Sequence, residues 1–284
     1  MFFVTCKLTC KNLVRTKTFW LVAVIMFLVA VNHASRACYG VYMPEYDEVI
    51  MDTDPRFVLD YQKYIQHITN ALETILSYAG PILSVVSVIL IVQRDYGDHF
   101  FEIEKSIGLA YAKYTLGRIL TLITFCFCTI TLCSFFSLHL YVFLREGVAG
   151  IEPWEYLTDS AVRLLRSNLL RTLPCVTIYI TLTYFIASLS KNVIVSAVAG
   201  LGYVLTNMVL GMYFLTAESF YINYLSPTPL KIMNYLYYYD TEWFEIIPIL
   251  KVTPTEILLC IGNAAIISVS LFLLAHLLIR KRTV

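Results

Sequence analysis

A chain of 284 residues with 58% hydrophobic side chains, 14% charged ones and a mean hydropathy of +0.70 lies outside the composition of soluble globular domains. The formal net charge of +1 gives no basic excess of the kind that nucleic acid attracts, and no nucleic-acid partner is expected. The composition is that of an integral membrane protein.

Crossing a bilayer core of about 30 Å takes roughly 20 helical residues at about 1.5 Å each. Six charge-free runs are of that order: Thr18 to Ser35, Thr74 to Gln93, Ile119 to Leu144, Thr172 to Ser190, Asn192 to Ala217 and Ile257 to Ile279. None alternates apolar and polar residues as a membrane barrel requires, and a spanning backbone must satisfy its own polar groups, so six transmembrane helices are predicted.

Ahead of the first run, Lys7, Lys11 and Arg15 recur every four residues, and Phe3, Cys6, Cys10, Leu13 and Val14 form the opposite stripe. That is the pattern of an interfacial helix, apolar among acyl chains and cationic among headgroups. Charges that serve only to orient the chain explain the sign of these residues but not the stripe. The run that follows is too long for a signal peptide, and no small-residue cleavage site is evident before Tyr39, so it reads as a retained span.

The loop from Arg36 to Glu73 is acidic. After Asp54 and Pro55, the residues Phe57, Tyr61, Tyr64, Ile65, Ile68 and Leu72 recur at helical spacing, which predicts a helix leading into the second run. The acids lack the spacing and glycine of a calcium-binding loop. Between the third and fourth runs, Pro153 to about Leu170 reads as an amphipathic surface helix, with Asp159 four residues before Arg163. Before the last run, NYLYYYDTEWF reads as an aromatic belt at a membrane surface.

The eight cysteines show no zinc-ligand spacing and read as inert thiols in or near the membrane. Five histidines do not converge by any spacing, and H-E-x-x-H, G-x-S-x-G and G-x-x-x-x-G-K-[ST] are all absent. Ionisable groups within the runs reduce to His139 and His276, which argues against an ion-coupled carrier.

Six spans place both termini on one side. That side carries 12 basic and 4 acidic residues, a net of +8, and the other carries 9 basic and 16 acidic residues, a net of −7. The excess of Lys and Arg puts the first side, with both termini, in the cytoplasm. Here too lies QRDYGDHFFEIEKSIGLAYAKYTLGRIL, residues 93 to 120, with eight charged side chains. Its acids come first and its cations later, an order that suits a helix dipole. A helix from about Asp98 to Ile107 would set Phe100, Phe101 and Ile103 beside Glu102, Glu104 and Lys105, with Gly108 to end it.

This segment resembles the coupling helix of an ABC transporter permease of the type-two exporter class. The resemblance covers the whole chain: the basic stretch KNLVRTKTFW before the first span, a large first outside loop, R-D-Y-G-D at 94 to 98 after the second span, and Gly117 and Arg118 ahead of the third. Many members have Gly-Thr after an acid where this chain has Gly97 and Asp98, and a proline ahead of the third span where this chain has none.

The resemblance implies one all-α permease domain over residues 1 to 284, six spans, and a cytoplasmic coupling helix between spans two and three. It places the chain in the plasma membrane as a multi-pass protein. Its partners would be two copies of an ABC ATPase, a second permease half that is identical or homologous, and membrane lipid. Asp98, Phe100, Phe101, Glu102, Ile103 and Lys105 would dock the ATPase, while Lys7, Lys11 and Arg15 belong to the interfacial helix. ATP and Mg would be bound by the partner; this chain would hold no cofactor and be no enzyme. The scarcity of buried charge points to a hydrophobic or amphipathic cargo such as a peptide, lipid or toxin, moved outward. A membrane-embedded enzyme and a non-transporting scaffold or sensor are the alternatives from other classes.

Overall fold

The computed structural model of the chain describes residues 2–37, 41–43, 48–50, 79–93, 111–149, 161–162, 165, 169, 172–190, 192–214 and 254–282. Among them are seven helices: α1 (Phe2–Arg15), α2 (Lys17–Ala37), α3 (Ala79–Gln93), α4 (Tyr111–Ala149), α5 (Leu173–Ser190), α6 (Val193–Phe214) and α7 (Pro254–Arg282). A short antiparallel pair, β1 (Val41–Met43) and β2 (Glu48–Ile50), sets Val41 opposite Ile50 and Met43 opposite Glu48. The sequence reading has no strands here, although Val41, Tyr42, Val49 and Ile50 favour extended backbone.

Each of the six charge-free runs falls on a helix wherever its residues are described, Asn192 just ahead of α6 excepted. Among the described residues three stretches are long and apolar enough to cross a membrane: Lys113–Ser137 in α4, Leu173–Ser190, which is α5, and Ile261–Leu278 in α7. A fourth results if α1 and α2 through Asn32, bent by 66° at their junction, count as one broken span, and α3 and Val193–Thr206 of α6 are shorter apolar helices. The helix from Pro55, the helix from Asp98 to Ile107 and the aromatic belt lie outside the described residues, as does most of the surface helix from Pro153.

Two compact units share the chain. One comprises Leu21–Ala79 and Cys128–Leu169. In it, Ala23, Met26 and Ala30 of α2 are buried, and Leu21, Val24, Ile25, Leu28 and Val29 are exposed. Large apolar side chains left outward is a pattern that water penalises and lipid accepts.

The other unit comprises Met1–Trp20, Gly80–Phe127 and Leu170–Val284. Here α5 packs against both α6 and α7, and a core of Val85, Tyr179 and Val204 joins α3, α5 and α6. Gly200 lets these helices approach. A Cβ there would stand 2.8 Å from Val85 Cγ1 and 3.2 Å from Thr183 Oγ1. Ser196, Gly200 and Val204, four residues apart, are all buried, so one face of α6 forms the seam. Close approach of this kind is how apolar helices gain packing energy where no hydrophobic drive separates protein from lipid.

Several hydroxyls inside the helices turn back on their own backbone. Ser84 donates to Gly80 O at 2.9 Å, Ser87 to Leu83 O at 2.6 Å, Thr181 to Thr177 O at 2.8 Å and Ser188 to Tyr184 O at 2.8 Å. An unmade hydrogen bond in an apolar interior costs about 1–3 kcal/mol, and the carbonyl four residues earlier is the partner always within reach. This is how these four residues fit inside apolar helices. Between α5 and α6 the turn is closed by Asn192, whose Oδ1 accepts from Ile194 N at 2.9 Å and Val195 N at 3.3 Å, a side-chain cap on the first free amides of α6.

Candidate functional site at the head of α4

The first turns of α4 follow directly on the charged segment of residues 94 to 110, and α1 is seated on them. Thr5, Thr9 and Leu13 recur every four residues and are 6%, 2% and 0% exposed, so they form the inward face of α1. It meets α4 at Gly117, where a Cβ would lie in ordinary contact, 3.4 Å from Phe2 Cδ2, 3.4 Å from Thr5 Cβ and 3.5 Å from Cys6 Sγ. The Cys6 thiol points at Gly117 O at 3.6 Å, and the same carbonyl accepts from Thr121 Oγ1 at 2.7 Å.

The corner between α1 and α2 is closed by hydrogen bonds to carbonyls that a helix end leaves without partners. Asn12 O accepts from Thr16 Oγ1 at 2.7 Å, Leu13 O from Thr16 N at 3.0 Å, and Val14 O from Trp20 Nε1 at 2.8 Å. The first turn of α2 is tied to α4 by rings: Phe19, fully buried, lies 5.0 Å from Phe125 between centroids, and Trp20 lies 6.4 Å from Phe125 edge to face. These contacts fix the direction in which α1 leaves the corner.

Lys113 and Arg118, the last two cations of the segment from 93 to 120, behave differently. Lys113 is exposed, whereas Arg118 is 4% exposed with its Cζ 4.1 Å above the buried Tyr114 ring. A cation over an aromatic face gains electrostatic attraction that grows as water is excluded. Arg118 therefore belongs to the packing of α4.

Of the predicted site residues, Lys7, Lys11 and Arg15 are exposed on α1. The apolar stripe predicted opposite them is divided: Leu13 is buried in the protein, Cys6 and Cys10 are half-buried, and Phe3 and Val14 are exposed. The inward face is centred on Thr5 and Thr9, which hydropathy alone does not select. Asp98, Phe100, Phe101, Glu102, Ile103 and Lys105 lie outside the described residues. His139 is exposed and its Nδ1–H donates to Phe135 O of its own helix at 2.7 Å; His276 stacks on Phe272, one turn earlier, at 6.4 Å.

Among the described residues no three His, Cys, Asp or Glu side chains gather as metal ligands, and Cys6, Cys10, Cys126, Cys128, Cys133 and Cys175 are free thiols. Cys126 donates to Ser87 Oγ at 3.2 Å, a tie between α4 and α3. What the head of α4 offers is mechanical: a helix held by side-chain contact at Gly117, a weak thiol hydrogen bond and a ring stack. Comparison of the chain with protein-family models, curated proteins and solved structures gives no match.

Proposed function

We propose that the chain is the membrane-spanning permease subunit of an ATP-driven exporter of the ABC type-two class. In this reading it works with a separate ATPase and moves a hydrophobic or amphipathic cargo outward. All six apolar runs cross the plasma membrane, with both termini in the cytoplasm. The segment from Asp98 to Lys105 docks the ATPase, and Phe100, Phe101, Ile103 and Glu102 form the contact.

The observation that carries the reading is the clamp of α1 on α4 at Gly117. A force received by residues 94 to 110 enters α4 first, and α4 is in contact with α1 at its second turn. The ring stack of Phe19 on Phe125 extends the same connection to the start of α2. ATP-driven movement at the cytoplasmic surface thus has a packed route into the membrane helices. The sequence lacks G-x-x-x-x-G-K-[ST], and in this reading hydrolysis falls to a partner.

Co-expression with the cognate ATPase tests this. The complex should purify with two ATPase subunits per pair of permease halves, while the chain alone should hydrolyse no ATP. Aromatic anchors in an interface are worth about 2 kcal/mol or more, so Phe101→Ala should weaken ATPase capture roughly 30-fold. Glu102→Lys should do the same, with the permease level in the membrane unchanged. Undiminished capture and export in both variants would remove the docking role from this segment.

A further inference from the structure

We infer that the exposed arc of α1 is a binding surface for anionic phospholipid. The inference rests on the membrane placement in the reading above but not on an ATPase partner. At about 100° per residue, Lys7, Lys11 and Arg15 lie within one arc opposite the buried face of Thr5, Thr9 and Leu13. All three are exposed, and so is Lys17 just past the corner. The chain contains no acidic residue before Glu45, so nothing on α1 or the described part of α2 neutralises them.

The same arc carries apolar side chains that the protein leaves uncovered. Phe3 is 82% exposed and Val4 58%, with Val14 at 47% and Leu8 at 40%. They flank and interleave the cations. In water, such a mixture gains nothing from its apolar half. At the boundary of headgroups and acyl chains, the rings and methyls enter the hydrocarbon while lysine and arginine stems extend outward to phosphates. Trp20 stands at the corner, 45% exposed, with its indole N–H held by Val14 O, a side chain suited to the same depth. Because the opposite face is occupied by Gly117 and its neighbours, the cationic arc cannot turn inward. It is presented to whatever lies beside the head of α4.

Charges kept only to orient the chain during insertion would need the sign of these residues. They would not need a preference for one lipid over another in the finished protein. A bound anionic headgroup requires that preference, with a salt dependence set by a Debye length of about 10 Å at 0.1 M. Each cation near an anionic surface is worth up to about fivefold in local lipid concentration.

The experiment uses the full chain with Trp154→Phe and Trp243→Phe, which leaves Trp20 as its one tryptophan. It is reconstituted in phosphatidylcholine containing a minority of brominated phosphatidylglycerol or brominated phosphatidylcholine. Quenching of Trp20 reports which lipid surrounds the corner. Brominated phosphatidylglycerol should be enriched at least threefold over the neutral lipid. The preference should fall with salt, disappear in K7Q/K11Q/R15Q and persist in K7R/K11R. Equal quenching by the two lipids in the otherwise unmodified chain, which needs no charge variant, would overturn the proposal. So would a preference that survives K7Q/K11Q/R15Q. Absence of quenching by either lipid would overturn the membrane placement as well, and ATPase capture is not involved in any arm.

Discussion

Two glycines of α6 stand two residues apart and have opposite surroundings. Gly200 faces Val85 and Thr183 so closely that an added Cβ would meet Val85 Cγ1 at 2.8 Å, while a Cβ at Gly202 would meet nothing within 4 Å. Alanine in a helix interior gains about 1 kcal/mol over glycine, and at Gly202 that gain is unopposed. At Gly200 it is opposed by a branched, fully buried valine with a single preferred rotamer, and overpacking of this sort costs about 1–3 kcal/mol. Gly202→Ala should therefore raise the thermal stability of the purified protein and Gly200→Ala should lower it, read from melting in one detergent. Equal shifts in the two variants would mean that α6 does not pack on this face. The seam was partly legible beforehand: Ser196 and Gly200 are small residues four apart in an apolar run. Which of the two glycines lies in the seam was not, because hydropathy is the same on every side of such a helix. His139 teaches the same lesson in reverse. A lone histidine in a span suggests a bond between helices, yet its Nδ1 is already used by Phe135 O, the nearest acceptor along its own helix.

At the scale of elements, α1 was legible as a helix from its cations at every fourth residue, but its seat was not. The contact joins Cys6 to Gly117, 111 residues away, and no local pattern records a pairing at that distance. The inward face is also led by two threonines, which a hydropathy reading assigns to neither side. Gly117 is the residue on which the seat depends. Its nearest neighbours would meet a Cβ at 3.4 to 3.5 Å, ordinary contact that alanine fits, whereas a leucine needs space already filled by Phe2, Thr5 and Cys6. In a chain whose only cysteine is Cys6, a membrane-permeant maleimide should therefore react about as slowly in Gly117→Ala as in the parent. In Gly117→Leu the reaction should be faster by about tenfold, the factor that goes with about 1.4 kcal/mol of lost packing. Labelling at one rate in all three would show that α1 does not rest on α4 at this glycine. The same variants bear on the proposed mechanism, since an α1 that has lost its seat no longer receives movement from the head of α4.

Across the whole molecule, helical character follows directly from composition and the lengths of the apolar runs. The number of crossings does not, because α3 is described over Ala79–Gln93, only about 22 Å at the usual rise. Its run reaches about 30 Å only when counted from Thr74, and residues 74 to 78 lie outside the described part. The charge balance supplies the missing argument. If α3 crosses, Arg94, Lys105, Lys113 and Arg118 share the cytoplasmic side with Lys7, Lys11 and Arg15, while Asp47 and its acidic neighbours stay outside. If it does not, Glu102 remains on the same side as Asp47, and Arg94, Lys105, Lys113 and Arg118 leave the side that the excess of basic residues marks as cytoplasmic. Single cysteines at Asp47, Glu102 and Glu242 in a cysteine-free chain separate these arrangements, using an impermeant thiol reagent on intact cells. Asp47→Cys and Glu242→Cys should label and Glu102→Cys should label only after the membrane is opened. Labelling of Glu102→Cys together with Asp47→Cys would make α3 a helix that enters the bilayer without crossing it. In that case residues 98 to 105 would lie where no cytoplasmic ATPase can reach, and the exporter reading would fail with the topology.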